Sequence, residues 1–108
     1  MAMKEQDAIE ERKLGNDFDI LCQIYEDTVV NNDVAYLSKL IKETGYDRRT
    51  VDTNLDKLEF LGIIYPEYKK VGEYFRLCYL IDGYEALEFA RALYENSEKV
   101  EETANVPR

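Results

Sequence analysis

Residues 44–62 read Thr-Gly-Tyr-Asp-Arg-Arg-Thr-Val-Asp-Thr-Asn-Leu-Asp-Lys-Leu-Glu-Phe-Leu-Gly, and few chain conformations satisfy that order. Thr44-Gly45 closes one helix, because glycine enters the left-handed conformation that ends a helix at little cost. Asp47 then caps the next helix by accepting from the free amides of its first turn. Val51, Leu55 and Leu58 recur at helical spacing and should face a core. Gly62 stops that helix, and a β-prone run follows. Two helices joined by a short glycine-containing turn, the second led by Arg48 and Arg49, describe a helix-turn-helix motif.

The flanking segments supply partners for this unit. Asn16 or Asp17 can cap a first helix whose core face carries Phe18, Leu21, Cys22 and Tyr25, extended by Ile20 and Ile24. Thr28-Val29-Val30 is a short β-prone piece, and Asn31-Asn32-Asp33 is a turn that caps a second helix from Val34. That helix has an apolar stripe of Val34, Leu37, Leu40 and Ile41. Beyond Gly62, Ile63-Ile64-Tyr65 reads as a strand that Pro66 ends or confines to an edge, since proline donates nothing to a ladder. Residues 69–73 read as a turn and Tyr74 to Ile81 as a second strand, completing a hairpin.

A last helix is expected from Tyr84 to Glu98. Its apolar residues spread over an arc of about 220° at ~100° per residue, more than the stripe of a little over ~100° that one core requires. The excess points to a second chain packed on Tyr84, Leu87, Phe89, Ala90, Leu93 and Tyr94. The expected organisation is a charged arm over residues 1–15, one domain over 16–98 and a polar tail over 99–108.

Composition narrows the function. The chain contains no histidine and two cysteines far apart in sequence, Cys22 and Cys78, so a zinc site with paired ligand spacing and all histidine-dependent triads drop out. Both cysteines lie in apolar segments and read as packed thiols, a disulfide being the other reading. No glycine-rich phosphate loop or nucleophile motif is present, so an enzyme is not expected, nor a metal or cofactor. No apolar run is long enough to span a bilayer and residues 1–7 lack the apolar core of a signal peptide, which leads to an expected cytoplasmic location. The net charge of −9 argues against nonspecific nucleic-acid binding. Its distribution is uneven, however: residues 39–76 carry +1 and the remainder −10.

In its order of elements, and in the stretches Thr44–Val51, Leu55–Ile64 and Arg76–Leu87, the chain resembles the archaeal and bacterial winged helix-turn-helix transcription regulators of the multiple-antibiotic-resistance and arsenic-repressor type. The resemblance covers roughly residues 16–96. It implies an α+β, mainly α fold: a three-helix core, a two-stranded β-hairpin wing and a long C-terminal helix. It further implies a homodimer joined through terminal helices and acting on double-stranded DNA. The recognition helix, residues 47–61, would enter the major groove, and the wing, residues 65–76, would lie on the backbone or in the minor groove.

Mapped residue by residue, Arg48 and Arg49 stand where base edges are read; arginine reads guanine bidentately, and Asn54 suits adenine. Thr50 and Thr53 suit phosphates or thymine methyls, while Lys57, Lys69 and Lys70 suit phosphates. The alternative is a winged-helix module that binds protein rather than DNA. Asp52 and Asp56 on or beside the reading face, and Phe60 opposite the Val51-Leu55-Leu58 stripe, speak for it. Nothing in the sequence assigns an operator or a small-molecule effector.

Overall fold

A computed structural model describes residues 15–105, with side chains described through Ser97. It is an α+β, mainly helical chain with four helices and one two-stranded antiparallel sheet: α1 (Asn16–Tyr25), α2 (Leu37–Thr44), α3 (Arg48–Phe60), β1 (Ile64–Val71), β2 (Tyr74–Ile81) and α4 (Gly83–Asn105). Of the arm expected over residues 1–15, all but Gly15 lies outside the described residues.

The helix-turn-helix stretch forms as its local chemistry dictates. Gly45 sits at φ 81 and its amide bonds to the Ile41 carbonyl at 2.9 Å, closing α2. Asp47 accepts from the Thr50 amide at 2.8 Å and caps α3. Val51, Leu55 and Leu58 are buried, together with Ile20, Leu21, Ile24 and Tyr25 of α1 and Leu40 of α2. Ile64 and Tyr79 from the hairpin and Ala90 from α4 complete the core. Each large aliphatic side chain withdrawn in this way contributes about 1.5–3 kcal/mol against the exposed state.

Over residues 16–37, four expectations are corrected. Phe18 and Cys22 are only half-buried; Phe18 packs edge-on against Phe89, ring centroids 5.6 Å apart. Neither Asn16 nor Asp17 caps α1, which begins after Gly15 with no side-chain cap. Residues 28–30 are not extended: Glu26–Val30 continues α1 as a π-helical turn, with the Asn31 amide bonded to the Glu26 carbonyl at 2.9 Å. That wider turn carries Asp27 into the interior, and β-propensity at Val29 and Val30 yields to it.

The fourth correction concerns the start of α2, which is Leu37 rather than Val34. Ala35 and Tyr36 are held extended by β2, through the Tyr79 amide bonded to the Ala35 carbonyl at 2.9 Å and a bridge between Tyr36 and Cys78. Residues committed to a strand edge cannot also begin a helix.

β1 runs on through Pro66 to Val71, past the end expected of it, because a two-stranded sheet gives each strand an open edge where proline costs no ladder bond. The expected turn over 69–73 contracts to Gly72-Glu73 between the paired Val71 and Tyr74, with Gly72 at φ 68. Burial divides the hairpin lengthwise: Ile64, Cys78 and Tyr79 at its base are covered, while Tyr68, Tyr74 and Phe75 near its tip are exposed. The hairpin thus spans 64–81, within the 63–81 expected of its two strands, and α4 continues to Asn105 rather than ending at Glu98. Among the described residues no helix is long and apolar enough to cross a membrane.

Candidate nucleic-acid interface

Asp47 fixes the position of the two arginines that follow it. Hydrogen bonds from Thr50 hold its carboxyl below the usual carboxylate range, so it remains an anionic cap over the amides of the first turn of α3. Arg48 and Arg49 therefore emerge from a helix start that is pinned, and both are exposed. At ~100° per residue, Arg49, Thr53, Asp56 and Phe60 form the stripe opposite the buried Val51, Leu55 and Leu58. Thr53 is exposed on that stripe and Thr50 is half-buried on its flank.

Two of the expected contacts are engaged within the chain. Asn54 donates its side-chain amide to the Thr50 carbonyl at 2.8 Å. Lys57 reaches across to α1, its ammonium 2.9 Å from the Asp17 carboxylate. Burial works against the Asp17 carboxylate, yet the hydrogen bonds from Lys57 and the Phe18 amide prevail and lower its pKa.

The hairpin brings a second group of cations. Lys69 lies directly opposite Arg76 in the register, and Lys70 opposite Phe75. Arg76 is held with its guanidinium carbon 4.8 Å from the centre of the Tyr36 ring. Arg48 and Arg76 line one open cleft of about 290 Å³ between the start of α2, the start of α3 and β2. None of Arg48, Arg49, Lys69, Lys70 and Arg76 takes part in an ion pair among the described residues. Arg76, Tyr36 and Ser38 went unread as site residues because only the strand register and the extended Ala35–Tyr36 link bring them to α3.

The other half of α3 has the opposite sign. Burial raises the pKa of the Tyr79 hydroxyl, and Asp52, Glu59 and Asp56 raise it further, so these carboxylates surround the base of the hairpin. Phe60, 88% exposed, and Leu61 end the helix as an apolar step. On α3 and the hairpin, the cations without an ion pair among the described residues thus lie at the start of the helix and on the outer hairpin.

The residues expected between two chains divide as well. Ala90 is fully buried, and Leu87, Leu93 and Tyr94 pack against the chain's own core, Tyr94 with its ring 5.2 Å from that of Tyr25. Much of the wide apolar arc is therefore used internally. Tyr84 is exposed and Phe89 partly so.

Both cysteines are free thiols. Burial pushes the Cys22 thiol up to about 11, assisted by Asp19, so it is a poor nucleophile at neutral pH. Among the described residues no group of three or more Cys, Asp or Glu side chains is placed to hold a metal ion. In comparisons with known protein families and with curated proteins, the chain matches no family model and no individual relative.

Proposed function

We propose that this chain is a winged helix-turn-helix regulator that binds double-stranded DNA, with α3 as recognition helix and the β1–β2 hairpin as wing. One observation carries the reading: in a chain of net charge −9, Arg48 and Arg49 at the capped start of α3, and Lys69, Lys70 and Arg76 on the adjoining hairpin, have no ion-pair partner among the described residues. Neutralising phosphates is what such a cluster does best, and arginines leading a helix are suited to guanine edges. The acidic second half of α3 restricts the contact to its first turns. Binding then depends on a matched sequence, because the surrounding charge repels DNA in general.

The test is fluorescence anisotropy with random duplexes and with DNA from upstream of the protein's own gene, at two salt concentrations. Tight binding to the upstream DNA that weakens steeply with salt supports the reading. Absence of binding at low salt discards it. A homodimer through α4 belongs to the same proposal, with Tyr84 and Phe89 as the apolar groups left to contact a second chain.

A second reading is favoured by Phe60 and Leu61, which form an exposed apolar step beside the acidic flank of α3. On that reading the domain docks a basic, apolar protein surface. Replacing Phe60 would then abolish partner capture and leave DNA binding unaffected.

A further inference from the structure

The cleft between α2, α3 and β2 opposes in sign the net charge of the chain. Two guanidinium groups, Arg48 and Arg76, line it, and no carboxylate does. Behind Arg76, Lys69 occupies the directly opposed position on β1. Like charges opposed across two strands repel one another. In a chain with 23 acidic residues against 14 basic ones, no ion pair among the described residues reaches any of the three.

Arg76 is also preorganised. Its guanidinium carbon sits 4.8 Å from the centre of the Tyr36 ring, a cation–π contact that restrains it, and Tyr36 is itself held by its bridge to Cys78. The cleft lies at the start of α2, whose N-cap residue Tyr36 offers no side-chain hydrogen bond, so the amides of the first turn remain open to an anion. The volume exceeds what an inorganic phosphate requires. The remaining walls are Phe75, Leu37 and Leu77, which suit a planar or apolar body.

We infer that this cleft is an oxyanion site that takes the phosphoryl group of a nucleotide, with Arg48 and Arg76 as its two clamps and Tyr36 as the positioning residue for Arg76. The nucleotide unit has two possible sources, a DNA strand or a free mononucleotide. The strand-borne source deepens the DNA-binding proposal and rests on it; the free source does not. If both are accepted, they compete, and a soluble nucleotide displaces DNA from this corner of the domain.

The experiment is amide and arginine side-chain NMR on the full chain, titrated separately with inorganic phosphate, adenosine 5′-monophosphate and a short duplex. It is repeated on Arg76→Gln and Tyr36→Ala, with Lys42→Gln on the exposed face of α2 as control. Saturable shifts of the Leu37 and Ser38 amides and of the Arg48 and Arg76 side chains are expected with the monophosphate, weakened about tenfold by Arg76→Gln and unchanged by Lys42→Gln. The same signals should respond to the duplex, and the logarithmic salt slope of duplex binding should fall by about one in Arg76→Gln.

Shifts with the duplex alone assign the site to strand-borne phosphate. Shifts with the monophosphate and no duplex binding uphold the site while refuting the DNA proposal. If none of the three probes moves these signals, or Arg76→Gln binds all of them as the wild type does, the inference is overturned.

Discussion

The Lys57 ammonium lies 2.9 Å from the Asp17 carboxylate, tying the outer face of α3 to the first turn of α1. The bond crosses the domain rather than linking neighbours on one helix. It gives Lys57 a structural role and withdraws it from the free cations at the start of α3.

Breaking that pair should cost little stability and leave DNA affinity nearly intact. The lysine side chain is more than half exposed, so solvent screening limits the pair to about 0.2–1 kcal/mol. Lys57→Gln should therefore lower the denaturation midpoint slightly. The salt slope of DNA binding should match that of the wild type, in contrast to Arg76→Gln. A slope reduced by a full unit would return Lys57 to the phosphate contacts.

Glu43 should make stability fall as the solution becomes alkaline. Partial burial, the facing Asp27 carboxylate and Glu26 together push its carboxyl up to about 8, against a smaller opposing pull from Lys39. Asp27 is almost fully buried; Gln23 donates to one of its oxygens at 3.2 Å, and the other has no conventional donor. Glu43 interacts with the Asp27 side chain and, when protonated, has a proton to donate to it. With the folded pKa above its ordinary value of 4.5, the native state holds the extra proton between the two values. Stability therefore declines as pH rises through that window and levels off above about 8. Glu43→Gln should remove the decline, with melting temperatures that coincide with the wild type near pH 5 and exceed it by a few degrees near pH 9. Parallel curves for the two proteins would show that Glu43 is not the group responsible.

Gly45→Ala isolates the backbone requirement of the turn between α2 and α3. A β-carbon added there meets no atom within 4 Å, so the penalty comes only from the left-handed φ of 81. The expected loss is about 1–2 kcal/mol, measured by urea unfolding at constant m-value. A loss above about 3 kcal/mol would reveal a rearranged turn rather than local strain.

Legibility in the sequence followed the range of the interactions. The turn at Thr44–Asp47, the start of α3 and its buried Val51-Leu55-Leu58 face were readable because caps and helical periodicity act over a few residues. The short β-prone segment was misplaced because a buried Asp27 and a π-helical turn override the preference of Val29 and Val30. The strand-like link is instead Ala35–Tyr36, set by a bond to Tyr79 far along the chain. For the same reason Arg48 and Arg49 stand out in the sequence and Arg76 does not, since the register of β1 on β2 puts it opposite Lys69 and the bridge of Tyr36 to Cys78 puts it beside that ring.

Leu93 and Phe89 should respond differently to charge, although periodicity places both on the apolar arc of α4. Leu93 packs against the chain's own core, whereas Phe89 remains partly exposed beside Phe18. Leu93→Asp should therefore unfold the domain, and Phe89→Asp should leave it folded while dissociating the proposed dimer. Sedimentation of the wild type and of Phe89→Asp at micromolar concentration decides. A wild-type monomer removes the dimer proposal.

Arg49 and Phe60 lie on one stripe of α3, nearly in line along its outer face, and they separate the two proposed functions. Arg49 precedes the acidic half of the helix and has no ion-pair partner among the described residues; Phe60 follows it and is almost wholly exposed. Neither touches the core, so alanine at either position should leave the stability within about 0.5 kcal/mol of wild type. If the chain reads DNA, Arg49→Ala should cost about 1–3 kcal/mol on a preferred duplex and nearly nothing on random sequence, because a base contact carries the discrimination and phosphate contacts do not. Phe60→Ala should then be silent. If the chain docks protein, the pattern inverts: Arg49→Ala leaves partner binding unchanged and Phe60→Ala abolishes it, since an exposed aromatic anchor that becomes buried dominates such an interface. Measuring both variants against both ligands tells the two readings apart without knowledge of the operator.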